Sequence, residues 1–153
     1  MTNNDILRRL RYCLNLTSPQ LVDVFKAAKL REVTIDEVGH WLKKDDDEQY
    51  KSLSDVDCAT FLNGLINHKR GAKPGPGMPA EKSLNNNLIF RKLKIAFNLR
   101  SDDILEILKL ADFEFSEHEL SALFRKEQHK HYRVCKDQVL RNFLVGLQLK
   151  LRP

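Results

Sequence analysis

Cysteine, glycine and long apolar runs are all scarce in this chain, and each scarcity excludes something. The three cysteines, Cys13, Cys58 and Cys135, are widely spaced with no CxxC among them. A disulfide framework and a zinc knuckle are both poor readings of that pattern, and all three are expected to be reduced, buried, small hydrophobes. No apolar run approaches the roughly 20 residues needed to cross a bilayer. The opening Met1-Thr-Asn-Asn-Asp lacks the basic-then-apolar order of an export signal, so the expected location is the cytoplasm, without membrane attachment. No segment alternates apolar and polar residues with the β-branched richness of a strand. The single Gly-rich segment, Gly71 to Gly77, is interrupted by Pro74 and Pro76 and comes after a helical pattern, which is the wrong context for a phosphate-cradling loop. No nucleophile stands beside a base and no paired carboxylates are evident, so neither catalysis nor a cofactor is expected.

What the chain does have is repetition. Pairing each residue with the one 83 positions later matches Asn3/Asn86, Asn4/Asn87, Ile6/Ile89, Arg8/Arg91, Leu10/Leu93, Asn15/Asn98, Leu16/Leu99, Ser18/Ser101, Lys26/Lys109 and Ala28/Ala111. After one deletion near Arg31 to Val33, a spacing of 82 continues the series with Glu37/Glu119, Lys44/Lys126, Tyr50/Tyr132, Asp55/Asp137, Phe61/Phe143, Leu62/Leu144, Gly64/Gly146, Leu65/Leu147 and Arg70/Arg152. Nineteen identities in order, against roughly four expected of unrelated segments, mark a tandem duplication. The division is residues 1–70 for the first copy, a Pro/Gly-rich linker over 71–84, and residues 85–153 for the second. The linker's composition predicts an extended, semi-flexible connection.

Apolar residues recur at helical spacing in each copy and define four helices per copy, giving an all-α protein whose copies are expected to be related by an approximate twofold. The first helix carries Ile6, Leu7, Leu10 and Leu14, with Asn3 or Asn4 as its cap, and Asn86 or Asn87 in the second copy. The second opens at Ser18-Pro19 as a cap followed by proline at the first helical position. Thr34 to Glu37 and Ser116 to Glu119 fit the capping box and start the third helix. A polar loop leads to the fourth, capped in the first copy by Ser54. Gly64 and Gly146 lie inside the fourth helix, where glycine is about 1 kcal/mol worse than alanine. Close approach of another helix would offset that, with the contact between the copies as one place for it. Tyr50 and Tyr132 hold equal distances from Lys44 and Lys126, which predicts a buried ring with its hydroxyl bonded to backbone.

Asn3-Asn-Asp-Ile-Leu-Arg-Arg-Leu-Arg, Trp41-Leu-Lys-Lys, Phe61-Leu-Asn-Gly-Leu-Ile and Lys69-Arg-Gly resemble the first copy of the YehS-like family of uncharacterised bacterial proteins. Asn86-Asn-Asn-Leu-Ile-Phe-Arg-Lys-Leu, Ala111-Asp-Phe, Glu119-Leu-Ser-Ala-Leu-Phe-Arg-Lys and Leu140-Arg-Asn-Phe-Leu-Val-Gly-Leu-Gln-Leu-Lys resemble the second. The resemblance spans essentially the whole chain. It implies a duplicated helical domain and transfers no catalytic or binding residue.

Charge is the remaining signal. The chain of 153 residues has a net charge of +5 and a pI near 9.2. Residues 1–70 hold 11 basic and 11 acidic residues, whereas residues 85–153 hold 13 and 9, so the excess lies after the first copy. Two classes of function fit. One is nucleic-acid binding of weak specificity through basic helices, with Arg8, Arg11, Lys43, Lys44, Arg91, Lys94, Arg125 and Lys126 contacting phosphate. The second and third helices of each copy have the order of a helix-turn-helix. Their presumed recognition helices nevertheless begin with Asp36-Glu37 and Glu117-His-Glu119, carboxylates that face phosphates badly. The other class is a protein adaptor with Trp41 as its interface anchor. Asp45-Asp-Asp-Glu48 reads as a solvated acidic loop, since its counterpart is Glu127-Gln-His-Lys130. His118, His129, His131 and Cys135 offer ligands for zinc or nickel, but the flanking Lys126, Lys130, Arg133 and Lys136 oppose a divalent ion, and a surface histidine loop is expected.

Overall fold

The computed structural model describes all 153 residues; its regular structure is entirely helical, and the chain divides into two compact units, Met1–Leu84 and Asn85–Pro153. The first unit contains α1 (Asn3–Leu14), α2 (Ser18–Ala27), α3 (Ile35–Leu42) and α4 (Asp55–Arg70). The second contains α5 (Asn86–Ala96), α6 (Ser101–Leu110), α7 (Glu117–Leu123) and α8 (Asp137–Leu151).

Local chemistry sets the boundaries. Thr34 with Glu37 and Ser116 with Glu119 close reciprocal capping boxes at α3 and α7, as their spacing predicts. Ser54 caps α4 through the Asp57 amide. The other predicted caps are displaced by one or two residues. Thr2, Thr17 and Asn85 cap α1, α2 and α5, while Ser18 is already helical and Asn4 and Asn87 point inward. Asn15 and Asn98 end their first helices in the left-handed conformation, with φ of 52° and 53°. Asparagine tolerates that conformation better than most residues, which accounts for one of the identities between copies.

The two cores share a plan and exchange their large residues. In the first unit Phe25, on α2, lies 5.3 Å from Phe61 on α4 and 5.5 Å from Trp41 on α3, ring centroid to centroid. In the second, Leu108 stands where Phe25 was, and the large ring comes instead from Phe90 on α5, 4.6 Å from Phe143 and 5.2 Å from Phe124. Leu7 and Phe25 have become Phe90 and Leu108, and Trp41-Leu42 has become Leu123-Phe124. Each exchange moves an aromatic ring to a neighbouring position and keeps core volume similar, the kind of change a packed interior tolerates best.

Gly64 and Gly146 mark helix crossings inside each unit rather than a contact between copies. A Cβ on Gly64 would stand 1.9 Å from the carbonyl oxygen of Val24, and one on Gly146 would stand 1.9 Å from that of Ile107. Backbone meets backbone there, so α2 lies on α4 and α6 on α8 at separations that no side chain permits.

The Pro/Gly segment, expected as an extended and semi-flexible connection, is held at several points to the first unit. Lys29 donates its ammonium to the carbonyls of Lys73 and Gly75 at 2.9 and 3.3 Å. The Leu84 amide donates to Asp55 at 2.9 Å, and Gly77 passes so close to Ala28 that a Cβ would lie 2.0 Å from its carbonyl oxygen. The segment is therefore docked along the first unit, which extends to Leu84. Arg31 closes the same unit near α3. It bonds Asp57 at 2.9 and 3.1 Å and Glu37 at 3.1 Å, and its guanidinium carbon lies 5.8 Å from the centre of the Trp41 ring.

Candidate nucleic-acid interface

All but one of the basic residues singled out from the sequence lie at or against the C-terminal end of the third helix of their repeat. A helix end of this kind exposes unsatisfied carbonyls and carries partial negative charge, so it attracts cations. In the first repeat, Arg8 on α1 donates Nη1 to the carbonyl of Lys43, the C-cap of α3, at 2.8 Å, and its other terminal nitrogen pairs with Asp5. In the second, Arg91 on α5 donates to the carbonyl of Phe124, the C-cap of α7, at 3.0 Å. Lys94 sits 4.9 Å from the centre of the Phe124 ring, a cation–π distance.

Lys43 and Lys44 in one repeat, and Arg125 and Lys126 in the other, extend exposed from these same ends. The structure thus brings Arg8 to the Lys43 carbonyl, and Arg91 and Lys94 to Phe124, the residue just before Arg125 and Lys126. Arg11 stays apart. It is half-buried in the last turn of α1, and its Nε is buried without a hydrogen-bond partner.

Beyond the basic pair the two repeats diverge in charge. Lys44 runs directly into the exposed Asp45-Asp-Asp-Glu48 turn, whereas Lys126 is succeeded by Glu127, Gln128, His129, Lys130 and His131, also exposed. The opposite end of the third helix is acidic in both repeats, and there one carboxylate of each is engaged in the capping box. Glu37 accepts the Thr34 amide and pairs with Arg31, while Glu119 accepts the Ser116 amide at 3.1 Å. The bond from the Thr34 amide, helped by Arg31, holds the Glu37 carboxyl below its ordinary range against the opposing effect of burial.

Trp41 does not stand out from the surface as an anchor. It is only 6% exposed, packed on Phe25 beneath the Arg31 guanidinium. Its spacing from Val38, three residues earlier on the inward face, was the sequence signal for that burial. Tyr50 also departs from expectation, since its hydroxyl donates to the side-chain oxygen of Asn4 at 3.1 Å rather than to backbone. Cys135 is buried, and burial, followed by the Asp137 charge, pushes its thiol up to about 12. No three His, Cys, Asp or Glu side chains are placed to share a metal ion, and no helix is long and apolar enough to cross a membrane.

Sequence reasoning missed the residue that organises each repeat. Asn4 sits at the centre of four hydrogen bonds: Nδ2 donates to the carbonyls of Trp41 at 3.0 Å and Lys51 at 2.8 Å, and Oδ1 accepts from Tyr50 and from the Leu53 amide. Asn87 does the same with the carbonyls of Leu123 and Arg133 and the amide of Cys135. The signal that could have found them was an amide repeated in both copies on the apolar stripe of its helix, where a polar side chain must find partners. These clamps fasten the end of the third helix, the loop after it and the start of the fourth to the first helix. They thereby position the basic pair.

Fold and site together define a tandem all-helical protein in which one four-helix repeat is used twice. The chain belongs to the family described as "Protein of unknown function (DUF1456)", which it matches twice, over residues 3–71 and 86–152. It is 42% identical over 148 residues to the "Uncharacterized protein YehS" of Escherichia coli (strain K12), an alignment covering 96% of this chain and 94% of that protein. No solved structure matches.

Proposed function

We propose that this protein is a cytoplasmic, non-catalytic nucleic-acid-binding module that meets the phosphate backbone of DNA from the C-terminal ends of α3 and α7. The observation that carries the reading is the recurrence, in both repeats, of an exposed basic pair beside an arginine fixed by the last carbonyls of the same helix. Lys43, Lys44, Arg125 and Lys126 are exposed on backbone fastened by these hydrogen bonds, so the ordering required when they meet an anion falls on their side chains. Sequence preference is expected to be slight, because the end of the helix that would enter a groove carries Asp36, Glu37, Glu117 and Glu119. The rival adaptor reading loses its proposed anchor through the burial of Trp41.

Fluorescence anisotropy with labelled duplex and single-stranded DNA between about 50 and 200 mM salt tests the proposal. Binding should weaken steeply with salt, and removing one phosphate-contacting cation should lower the slope of log affinity against log salt by about one. Absence of binding at the low-salt end overturns it.

A further inference from the structure

The second repeat carries an open groove of about 570 Å³ lined by Leu105, Glu106 and Lys109 of α6, Phe113, Glu114 and Phe115 of the connecting loop, and Ser116 and Glu119. The rings of Phe113 and Phe115 lie 5.7 Å apart at their centroids and are half-buried, while Glu106, Glu114 and Glu119 are exposed. The groove therefore combines an aromatic and aliphatic wall with three carboxylates and one ammonium, a net negative site with an apolar side.

In the first repeat the glutamate that corresponds to Glu119 already has a basic partner. There Arg31 occupies the loop between α2 and α3, bonded to Oε2 of the capping-box Glu37 at 3.1 Å and lying over the Trp41 ring. The single deletion separating the two copies falls at Arg31 to Val33, and the shortened loop, Phe113-Glu-Phe115, has no basic residue. The capping-box glutamate remains. Glu119 accepts the Ser116 amide on Oε1 at 3.1 Å, as Glu37 accepts the Thr34 amide on Oε1, and no basic side chain pairs with it as Arg31 pairs with Glu37. Asp57 and Trp41 are replaced by Val139 and Leu123. In the second repeat the further carboxylate and the aromatic face come instead from Glu114 and the Phe113–Phe115 pair.

We infer that this groove receives an arginine side chain presented by a partner polypeptide, which would meet Glu119 as Arg31 meets Glu37 in the first repeat. A planar guanidinium bonds carboxylate along its edge and stacks on aromatic rings with its face, and the groove offers both contacts. Arginine capture here does not depend on DNA binding, because it uses the acidic end of α7 and leaves the basic end free.

The test is an amide NMR titration of the full chain with acetyl-Gly-Arg-Gly-amide, the corresponding lysine peptide and an acidic one. The arginine peptide should saturably shift amides of residues 113–119, with a dissociation constant of order 1 mM, as befits one side chain. Amides of residues 31–37 should stay still, since Arg31 fills that site. E119Q keeps the capping box, which accepts glutamine, and should weaken the arginine peptide about tenfold without disturbing the remaining amides. Equal shifts with the lysine peptide, unchanged affinity in E119Q, or no saturable shift would each overturn the inference. So would movement of residues 113–119 with protein concentration alone, which would assign the groove to a second copy of this chain.

Discussion

The side-chain oxygen of Asn4 accepts the backbone amide of Leu53, 49 residues away, at 2.9 Å, and the same bond joins Asn87 to Cys135 at 2.9 Å. Both bonds are buried, so water cannot replace them. Replacing Asn4 or Asn87 by alanine leaves two carbonyls and an amide without their partner and should destabilise the affected repeat by about 2–4 kcal/mol. Urea unfolding followed by circular dichroism checks this. A loss below about 0.5 kcal/mol would mean that the clamp is dispensable.

The helix crossings give a sharper contrast. Gly64→Ala and Gly146→Ala each place a methyl group against a backbone carbonyl, which cannot rotate away, and should destabilise by about 1–3 kcal/mol or more through displacement of α2 or α6. Gly39, inside α3, has no atom within 4 Å of an added Cβ. Gly39→Ala should therefore stabilise by about 0.5–1 kcal/mol through helix propensity alone. Melting temperatures of the three variants should move in these opposite directions.

Thiol chemistry should respond to folding and pH together. Burial, reinforced by the charges of Asp55 and Asp57, pushes the Cys58 thiol from its ordinary 9.0 up to about 12. Cys58 and Cys135 should thus resist iodoacetamide at pH 8 in the folded protein and react on unfolding, which mass spectrometry will count. The unfolded chain loses these protons near pH 9 and the folded chain only near 12, so stability should fall as pH rises through that interval. An alkaline unfolding series on Cys58→Ala should show a shallower decline.

The two basic ends should contribute unequally. The Asp45-Asp-Asp-Glu48 turn beside Lys44 partly cancels the attraction of that pair for phosphate, and the second repeat has no such turn. Removing Arg125 and Lys126 together should weaken DNA binding more than removing Lys43 and Lys44, by a factor that grows as salt is lowered. Anisotropy titrations of the two double variants at about 50 mM salt measure the difference.

The duplication, the helical class and the capping boxes of α3 and α7 were legible in the residues, because each is local. A capping box is completed within four residues, and a repeat is visible wherever two segments keep the same order. Gly64 and Gly146 announced a crossing but not its partner, since the oxygen of Val24 or Ile107 comes from another helix. Caps displaced by a residue at α1 and α2 show the same limit on a smaller scale. Thr2 and Thr17 were as eligible as their neighbours, and only the position of the inward face decides which residue starts the helix.

By itself, then, the sequence determined that one four-helix unit is used twice, where its helices run, and that a basic pair stands just past the third helix of each. Tertiary structure alone decided what those residues touch. Asn4 reaches Leu53, Arg8 reaches Lys43, Lys29 holds the Pro/Gly segment, and Trp41 is covered by Arg31. All of these join residues far apart in sequence or turn on which face of a helix lies inward. Such contacts form only when the apolar faces are buried together, and no spacing along the chain encodes which polar groups that burial brings within about 3 Å of one another.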